Sequence, residues 1–358
     1  MKITGYSVRE EDIVLKTPFV TSKRRIDVIR DYVLTLETDE GTVGYGACAP
    51  TPVITGDTVG SILYALNEIL CPALVGRTVD EELLPFVQSL LFHNSSAKAA
   101  CDIAIYDLLA KSKKQPLYAY LGASAETKRL VTDATVSLGS PESMTAETRT
   151  HLGAGFSTLK VKLGGKREDD KARIDALAAI IPKNIVVRLD ANQGWSVEDA
   201  VELCAYAEQS GLNIDLVEQP VHFEDIEGMA TVTKSTALKI LADESVFNSA
   251  EARRIIKMGA ADMLNIKLMK CGGIYEALKI KALATDAGMD CMLGCMMEGP
   301  VSVAAAAHFG AASNISRYDL DAPFLCKNVP ITGELQFDGE NIVLGKEGCG
   351  LGITKILG

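Results

Sequence analysis

The chain predicts an α/β fold, a (β/α) barrel with an α+β capping domain, and three observations carry that expectation. Short apolar runs alternate with amphipathic helical stretches from Thr132 onward: TDATVSL, STLKVKL, NIVVRLDA, NIDLVEQP, LKILADES, ADMLNIKL, MDCMLGC and SRYDLDA. One marker from each run (Thr135, Lys160, Asp190, Glu218, Asp243, Lys267, Leu293 and Asp319) gives successive spacings of 25, 30, 28, 25, 24, 26 and 26 residues. A strand and its crossover helix take up that length, and eight such strands close a barrel, whereas an open doubly wound sheet rarely repeats so evenly. The residues before this region have a different texture, with β-like alternation first and helices after it.

In chain order, residues 1–45 read as antiparallel β, with Val28–Thr38 as a strand, Asp39-Glu40-Gly41 as a turn and Thr42–Gly46 as the return. Ala49–Asp57 (APTPVITGD) is a loop punctuated by Pro and Gly. The pattern predicts helices over 58–70, 79–92 and 95–113, the last with Ala100, Ile103, Ala104, Leu108 and Leu109 on one face. Barrel helices follow at Asp169–Ile181, Val197–Ser210, Ser249–Met258 and Ile274–Ala287. The expected organisation is a capping domain at 1–124, a barrel at 125–320 and a segment, 321–358, that folds back onto the first domain.

Composition removes several classes of function. A net charge of −11 argues against nucleic acid or an anionic membrane as partner. The nine cysteines are scattered and hold no C-x-x-C pair, which suits reduced thiols and neither a disulfide frame nor a zinc cage. The opening MKITGYSVREEDI has no apolar core of a signal peptide, and no apolar run reaches membrane length. A soluble, cytoplasmic protein is expected; a homo-oligomer is compatible with the sequence but not readable from it.

The stretch Thr158–Gly164 (TLKVKLG) reads as a buried strand that ends in a glycine turn. Residues two apart share a face, so Lys160 and Lys162 lie together and Leu159, Val161 and Leu163 lie opposite. Alone, the pair is best explained as an exposed edge strand protected by lysines. The downstream strand ends change that. IVVRL is followed by Asp190, NIDLV by Glu218, LKILA by Asp243 and ADMLNI by Lys267. In such barrels the chemistry sits where strands end, at the C-terminal mouth. Singly, each acid is equally well explained as a helix cap. Three on consecutive strand ends, bracketed by lysines, call for a hard divalent cation, and all-oxygen ligation points to Mg²⁺. Zinc is disfavoured, because none of His93, His151, His222 and His308 joins this set; His222, just past Glu218-Gln219-Pro220, is read as structural.

Around the ring Lys162 and Lys267 bracket the acids and face each other across the metal. A substrate carboxylate held there places its α-carbon between two amines, which suits removal of an α-proton on one side and its return on the other. The enediolate needs electrostatic stabilisation, for which Mg²⁺ and Lys160 are placed. Neighbouring cations are expected to lower the lysine pKa toward neutrality.

These residues resemble the enolase superfamily, whose sites pair a Lys or His base with Mg²⁺. K-x-K at Lys160–Lys162, D-A-N at Asp190–Asn192, E-Q-P at Glu218–Pro220, D-E at Asp243-Glu244 and Lys267 are similar to the muconate-lactonizing subgroup. Asp319-Leu320-Asp321 resembles the D-x-D of dipeptide epimerases, and the likeness extends to TPF at 17–19, ITGD at 54–57 and SAKAA at 96–100. The resemblance implies Mg²⁺ on Asp190, Glu218 and Asp243, with Lys162 and Lys267 as acid/base catalysts. It implies substrate binding by Arg24, Thr135, Lys160, Asp319 and Asp321, with Asn192, Glu244 and Met297 behind them. Asp319 and Asp321 would hold a dipeptide's ammonium, and Arg24 would meet a glutamate side chain. Loops around 16–26 and 51–57 would close over the substrate. The sequence departs from the family at Arg25 and Cys295, which leaves the side-chain preference open.

The expected activity is Mg²⁺-dependent epimerisation of a small-molecule dipeptide, L-Ala-D/L-Glu first, by two-base proton transfer. On the same fold, N-succinyl or N-acyl amino acid racemisation and o-succinylbenzoate synthesis compete, but those substrates lack the ammonium that the D-x-D suits. A non-catalytic binding barrel and Schiff-base chemistry at Lys267 are the readings from other classes.

Overall fold

A computed structural model describes residues 1–357. Strands β1 (Ile3–Val20), β2 (Arg25–Thr38) and β3 (Val43–Cys48) form an antiparallel sheet in that order. The turn at 39–42 is closed by Gly41 N–H donating to Thr38 O at 3.0 Å, with Gly41 at φ 74°. The sheet packs on the helix Ser95–Ser112, in which every residue from Ser96 to Ala110 is buried. The sequence showed one apolar face for this helix. The structure covers all of its faces, because the sheet, the other capping helices and the barrel all pack against it.

The helix expected over 58–70 is interrupted. Val59–Tyr64 is α-helical, Ala65–Leu70 widens into a π-turn, and Cys71–Leu74 resumes the α form. Pro72 explains the break: it has no N–H, and its ring would collide with the carbonyl one turn back. The helix expected over 79–92 is shorter, Leu83–Leu90.

After β4 (Lys128–Val131) come the barrel strands β5 (Ala134–Val136), β6 (Thr158–Lys162), β7 (Val186–Asp190) and β8 (Asn213–Glu218). They continue as β9 (Lys239–Ala242), β10 (Met263–Ile266), β11 (Asp290–Gly294) and β12 (Arg317–Asp319). These eight are parallel neighbours in chain order, with a helix after each of the first seven. No ladder joins β12 to β5. The seam is held by a parallel bridge between Thr132 and Tyr318 and by Leu320 N–H donating to Thr132 Oγ1 at 2.8 Å.

The barrel interior is only partly apolar. Leu216, Leu241, Met263 and Met292 form a separate fully buried cluster. Beside it Arg188 is buried and pairs with Asp133 at 2.7 Å and Asp215 at 3.5 Å. Arg188 lies two residues before Asp190, so the alternation that aims Asp190 inward aims Arg188 inward as well.

The remaining strands β13 (Ile331–Gly333), β14 (Leu335–Asp338), β15 (Asn341–Leu344) and β16 (Ile353–Ile356) form two small sheets, with β4 pairing onto β15. This segment touches the capping domain through Lys327 N–H to Val14 O at 2.9 Å and Leu351 N–H to Asp107 Oδ1 at 2.8 Å. A second clasp runs to the barrel. Asp102, buried on the capping helix, accepts from Ile274 N–H at 2.5 Å and Tyr275 N–H at 3.3 Å, capping the helix Ile274–Asp286. Gly273 is required there, because a Cβ would lie 2.3 Å from the Asp102 carboxyl and φ is 116°. Among the described residues no helix is long and apolar enough to cross a membrane.

Candidate active site

Register brings the site together. Parallel pairing sets Lys160 beside Arg188, Lys162 beside Asp190, and Asp190 beside Glu218. Asp243 and Lys267 each follow the last residue of their strands, β9 and β10. Strand alternation then turns Lys160, Lys162, Asp190, Glu218, Asp243 and Lys267 into the mouth, where all six are buried. The edge-strand explanation of the lysines is therefore wrong. β6 lies between β5 and β7, and Lys160 is 1% exposed.

The ammonium groups and carboxylates alternate. Lys160 Nζ lies 2.6 Å from Asp319, 2.8 Å from Glu218 and 3.1 Å from Asp190. Lys162 Nζ lies 2.6 Å from Asp190, and Lys267 Nζ 2.8 Å from Asp243 and 4.0 Å from Glu218. Lys162 thus joins one end of the row of acids and Lys267 the other.

Burial alone would raise every acid here, so the shifts show where charge compensation succeeds. At Asp190 burial is outweighed by Lys162 and Lys160, and its carboxyl is held below the usual range. Asp243 is also held below that range, burial being overcome by Lys267 and Lys270. Glu218 goes the other way: burial and the Asp190 charge push it up to about 8 despite Lys160. Lys267 is raised, because Asp243 outweighs the burial that lowers it. The expectation that neighbouring cations lower a catalytic lysine is corrected for Lys267 in this state: at Lys267, as at Lys160, attraction to the facing carboxylates exceeds repulsion from the other ammonium groups.

The donor set fits a hard divalent cation. It offers three buried carboxylates on adjacent strand ends; Glu244 Oε2 and Asn265 Oδ1 are buried without a hydrogen-bond partner, and Glu218 Oε2 has only the Lys160 ammonium at 2.8 Å. Among the described residues no three His, Cys, Asp or Glu side chains converge as a ready-made metal cage, and the three acids point at ammonium groups. A cation would take over charge compensation now provided by the lysines.

The other expected residues fall around the same pocket. Arg24, Thr135, Asn192, Glu244, Met297, Asp319 and Asp321 line it with the three lysines and Asp243, while Asp190 and Glu218 lie beneath its surface. Thr135 N–H donates to Asp321 Oδ2 at 2.7 Å, tying the first barrel strand to the D-x-D across the seam. Burial lowers the Arg24 guanidinium to about 10, with Glu244 opposing. Asn192, at φ 42°, donates its N–H to Asp190 at 2.8 Å and its Nδ2 to Glu244 at 3.3 Å. Its carbonyl accepts from Ser22 Oγ at 3.1 Å, which joins the capping loop to the barrel mouth. Phe19 and Ile54 bring both capping loops into the pocket wall.

Arg25 stays outside the site, exposed and paired with Asp27 at 3.0 Å, whereas Cys295 lines the pocket. His222 is more than half exposed and touches none of the acids. Two residues escaped the sequence reading. Lys270 donates to Asp243 Oδ1 at 2.5 Å and Asn265 O at 3.0 Å, and Asn265 Nδ2 donates to Glu218 Oε1 at 2.9 Å. Asn265, two before Lys267, had a signal in strand alternation; Lys270 sits on a one-turn helix that no periodicity reveals.

Known proteins share this fold and family. Residues 3–122 match the model of the mandelate racemase / muconate lactonizing enzyme N-terminal domain, and residues 143–355 match the enolase C-terminal domain-like model. The L-Ala-D/L-Glu epimerase of Clostridium acetobutylicum is 43% identical over 347 residues, 96% of each chain. A substrate-liganded complex of the L-Ala-D/L-Glu epimerase from Bacillus subtilis superposes with a TM-score of 0.96 at 42% identity, over 99% of each chain. The dipeptide epimerase from Enterococcus faecalis V583, complexed with Mg and L-Leu-L-Tyr, superposes at 0.94 with 38% identity, over 99% of this chain and 100% of that one. With its capping sheet and eight-stranded barrel the chain is an isomerase, and it belongs to the mandelate racemase / muconate lactonizing enzyme family of the enolase superfamily.

Proposed function

We propose that this chain is a Mg²⁺-dependent dipeptide epimerase that inverts the α-carbon of the C-terminal residue, with L-Ala-D/L-Glu as its preferred substrate. The observation that carries this reading is the attachment of two buried lysines to opposite ends of one row of acids, Lys162 at Asp190 and Lys267 at Asp243. Similarity to dipeptide epimerases over nearly the whole chain supports it.

Asp190, Glu218 and Asp243 would hold Mg²⁺, which when bound supplies positive charge to a substrate carboxylate and so acidifies the adjoining C–H. Lys162 and Lys267 stand on two sides of the α-carbon. One, as a free amine, takes the proton, and the other, as an ammonium, returns one to the opposite face. Lys160, held by three acids, offers a fixed positive charge to the enediolate oxygens. Asp319 and Asp321 receive the peptide's ammonium; Asp321 is anchored by the Thr135 amide, which fixes the distance between the two ends of the substrate. The capping loops exclude water through Phe19 and Ile54. An alanyl-glutamate substrate is a product of peptidoglycan turnover, and the reaction is placed in the cytoplasm; nine unpaired thiols accord with a reducing compartment.

The test is incubation with L-Ala-L-Glu and Mg²⁺ in heavy water. The expected result is L-Ala-D-Glu carrying one α-deuterium; turnover of N-succinyl amino acids without it would overturn the reading. Arg24, which lines the pocket, sets the preference for glutamate. Arg24→Met is expected to raise KM for L-Ala-L-Glu about tenfold or more while sparing dipeptides with an apolar C-terminal residue.

A further inference from the structure

Two buried carboxyl groups have no part in the chemistry above. Asp31, in β2 of the capping sheet, is 0% exposed, and Glu298, in the loop after β11, is 2% exposed. Both oxygens of Asp31 and Oε2 of Glu298 lack a hydrogen-bond partner of good geometry. Folded chains rarely keep such groups without a reason.

Their surroundings supply one. The Asp31 carboxyl presses on Gly299, where an added Cβ would lie 2.1 Å from Oδ2 and 2.6 Å from Cγ. Gly299 caps the helix Pro300–Ala312. Glu298 Oε1 accepts from Met296 N–H at 2.9 Å, so it folds the loop back on itself. That loop supplies Cys295, Met296 and Met297 to the pocket wall. An unbroken line of contact therefore runs from the capping sheet through Asp31, Gly299 and Glu298 to the residues that face the substrate.

We propose that Asp31 and Glu298 form a positioning device, which holds the Cys295–Gly299 wall against the capping sheet while at least one of the two carboxyls keeps its proton and lets it relax when both are ionised. Asp31 touches Gly299, the residue next to Glu298, so two charged carboxyls here would repel across a dry boundary, and separation of the strand from the loop relieves that repulsion. Asp31 is pushed up to about 8 by burial, with Glu298 and Glu11 adding to the rise against the Gly299 amide. Glu298 is pushed up to about 7 by burial, against Ser302, the Met296 amide and Lys267. The other titratable groups facing Asp31 are Cys48 on β3, well above its usual range, and Cys326, raised to about 12, so both stay neutral as the carboxyls titrate.

The device predicts a direction. The folded chain keeps a proton on Asp31 that the unfolded chain releases above 3.8, so stability falls as pH rises from there through about 8. Asp31→Asn, neutral at every pH, removes that slope. With the Mg²⁺-loaded full chain, the wild-type KM for L-Ala-L-Glu is expected to climb about threefold or more between about pH 6 and about pH 9, relative to Asp31→Asn and Glu298→Gln. The kcat profiles should coincide. Parallel KM profiles in wild type and Asp31→Asn would overturn the proposal and leave the pair a purely structural feature.

The kinetic readout rests on the dipeptide-epimerase reading. Hydrogen exchange over 295–299 needs no substrate and separates the two failures. Wild type should lose protection relative to Asp31→Asn as pH rises, and equal protection in the two proteins would sink the device whatever the substrate.

Discussion

Replacing Lys162 with alanine is expected to stop epimerisation of L-Ala-L-Glu and L-Ala-D-Glu alike, with a fall in kcat of about 10³-fold or more, yet to leave α-proton exchange with solvent for one of the two isomers. Lys267→Ala should leave exchange for the other isomer. Inversion needs both amines, one to take the proton and one to return it, whereas exchange needs only the amine on the side where the proton stands. Neither change strips an acid of its last cation. Asp190 keeps Lys160 at 3.1 Å when Lys162 is gone, and Asp243 keeps Lys270 at 2.5 Å when Lys267 is gone. Both variants should therefore fold, and proton NMR in heavy water can follow each isomer separately. Equal loss of exchange from both isomers in each variant would contradict the assignment of one lysine to each side.

The second large effect separates two acids expected to hold the same ion. Asp243→Asn and Glu218→Gln should both abolish activity and the rise in Tm that Mg²⁺ gives the wild type. In a chelator their stabilities should diverge. Asp243 lies 2.8 Å from Lys267 and 2.5 Å from Lys270, all three buried. Its loss leaves Lys270 without a carboxylate and Lys267 with only Glu218 at 4.0 Å, a cost of about 3–5 kcal/mol. Because its carboxyl is held below the usual 3.8, that contribution is present above this pH and fades as pH falls toward the folded value.

Glu218 has the opposite sign. Its carboxyl is raised from 4.5 to about 8, so ionisation in the fold costs stability progressively as pH rises through that window. Lys160 keeps Asp190 and Asp319 when Glu218 is neutralised. Without divalent cations Glu218→Gln should therefore be neutral or stabilising near pH 8. Thermal melts of the three proteins in chelator and in Mg²⁺ check all of this. A Glu218→Gln protein that Mg²⁺ stabilises as fully as wild type would remove Glu218 from the ligands.

The strand ends were legible in the chain because a strand repeats every two residues and a βα unit every 24 to 30 here. Those periods are local and survive without any knowledge of neighbours. They were enough to pick out Lys160, Lys162, Asp190, Glu218, Asp243 and Lys267, and to order them around a mouth. Strand β6 shows the limit of local signal. Taken alone its two lysines fit an exposed edge; the strand ends downstream set that reading aside, and the order of the sheet puts β6 between two partners. Pro72 is a similar case: residue 72 was inside view, but the π-turn it causes appears only when the backbone is built.

Strand periods and residue types, then, told of a barrel, a capping domain and a ring of acids between lysines, because each of those follows from neighbours along the chain. Folding decided which lysine meets which acid, and so the direction in which each group titrates: Glu218 up, Asp243 down, Lys267 up. It also brought in Lys270 and Asn265, the Asp102 clasp and the contact of Asp31 with Gly299, the last two spanning 172 and 268 residues. Charge interactions and burial depend on distance through space, and no spacing along the chain encodes a distance between elements that far apart.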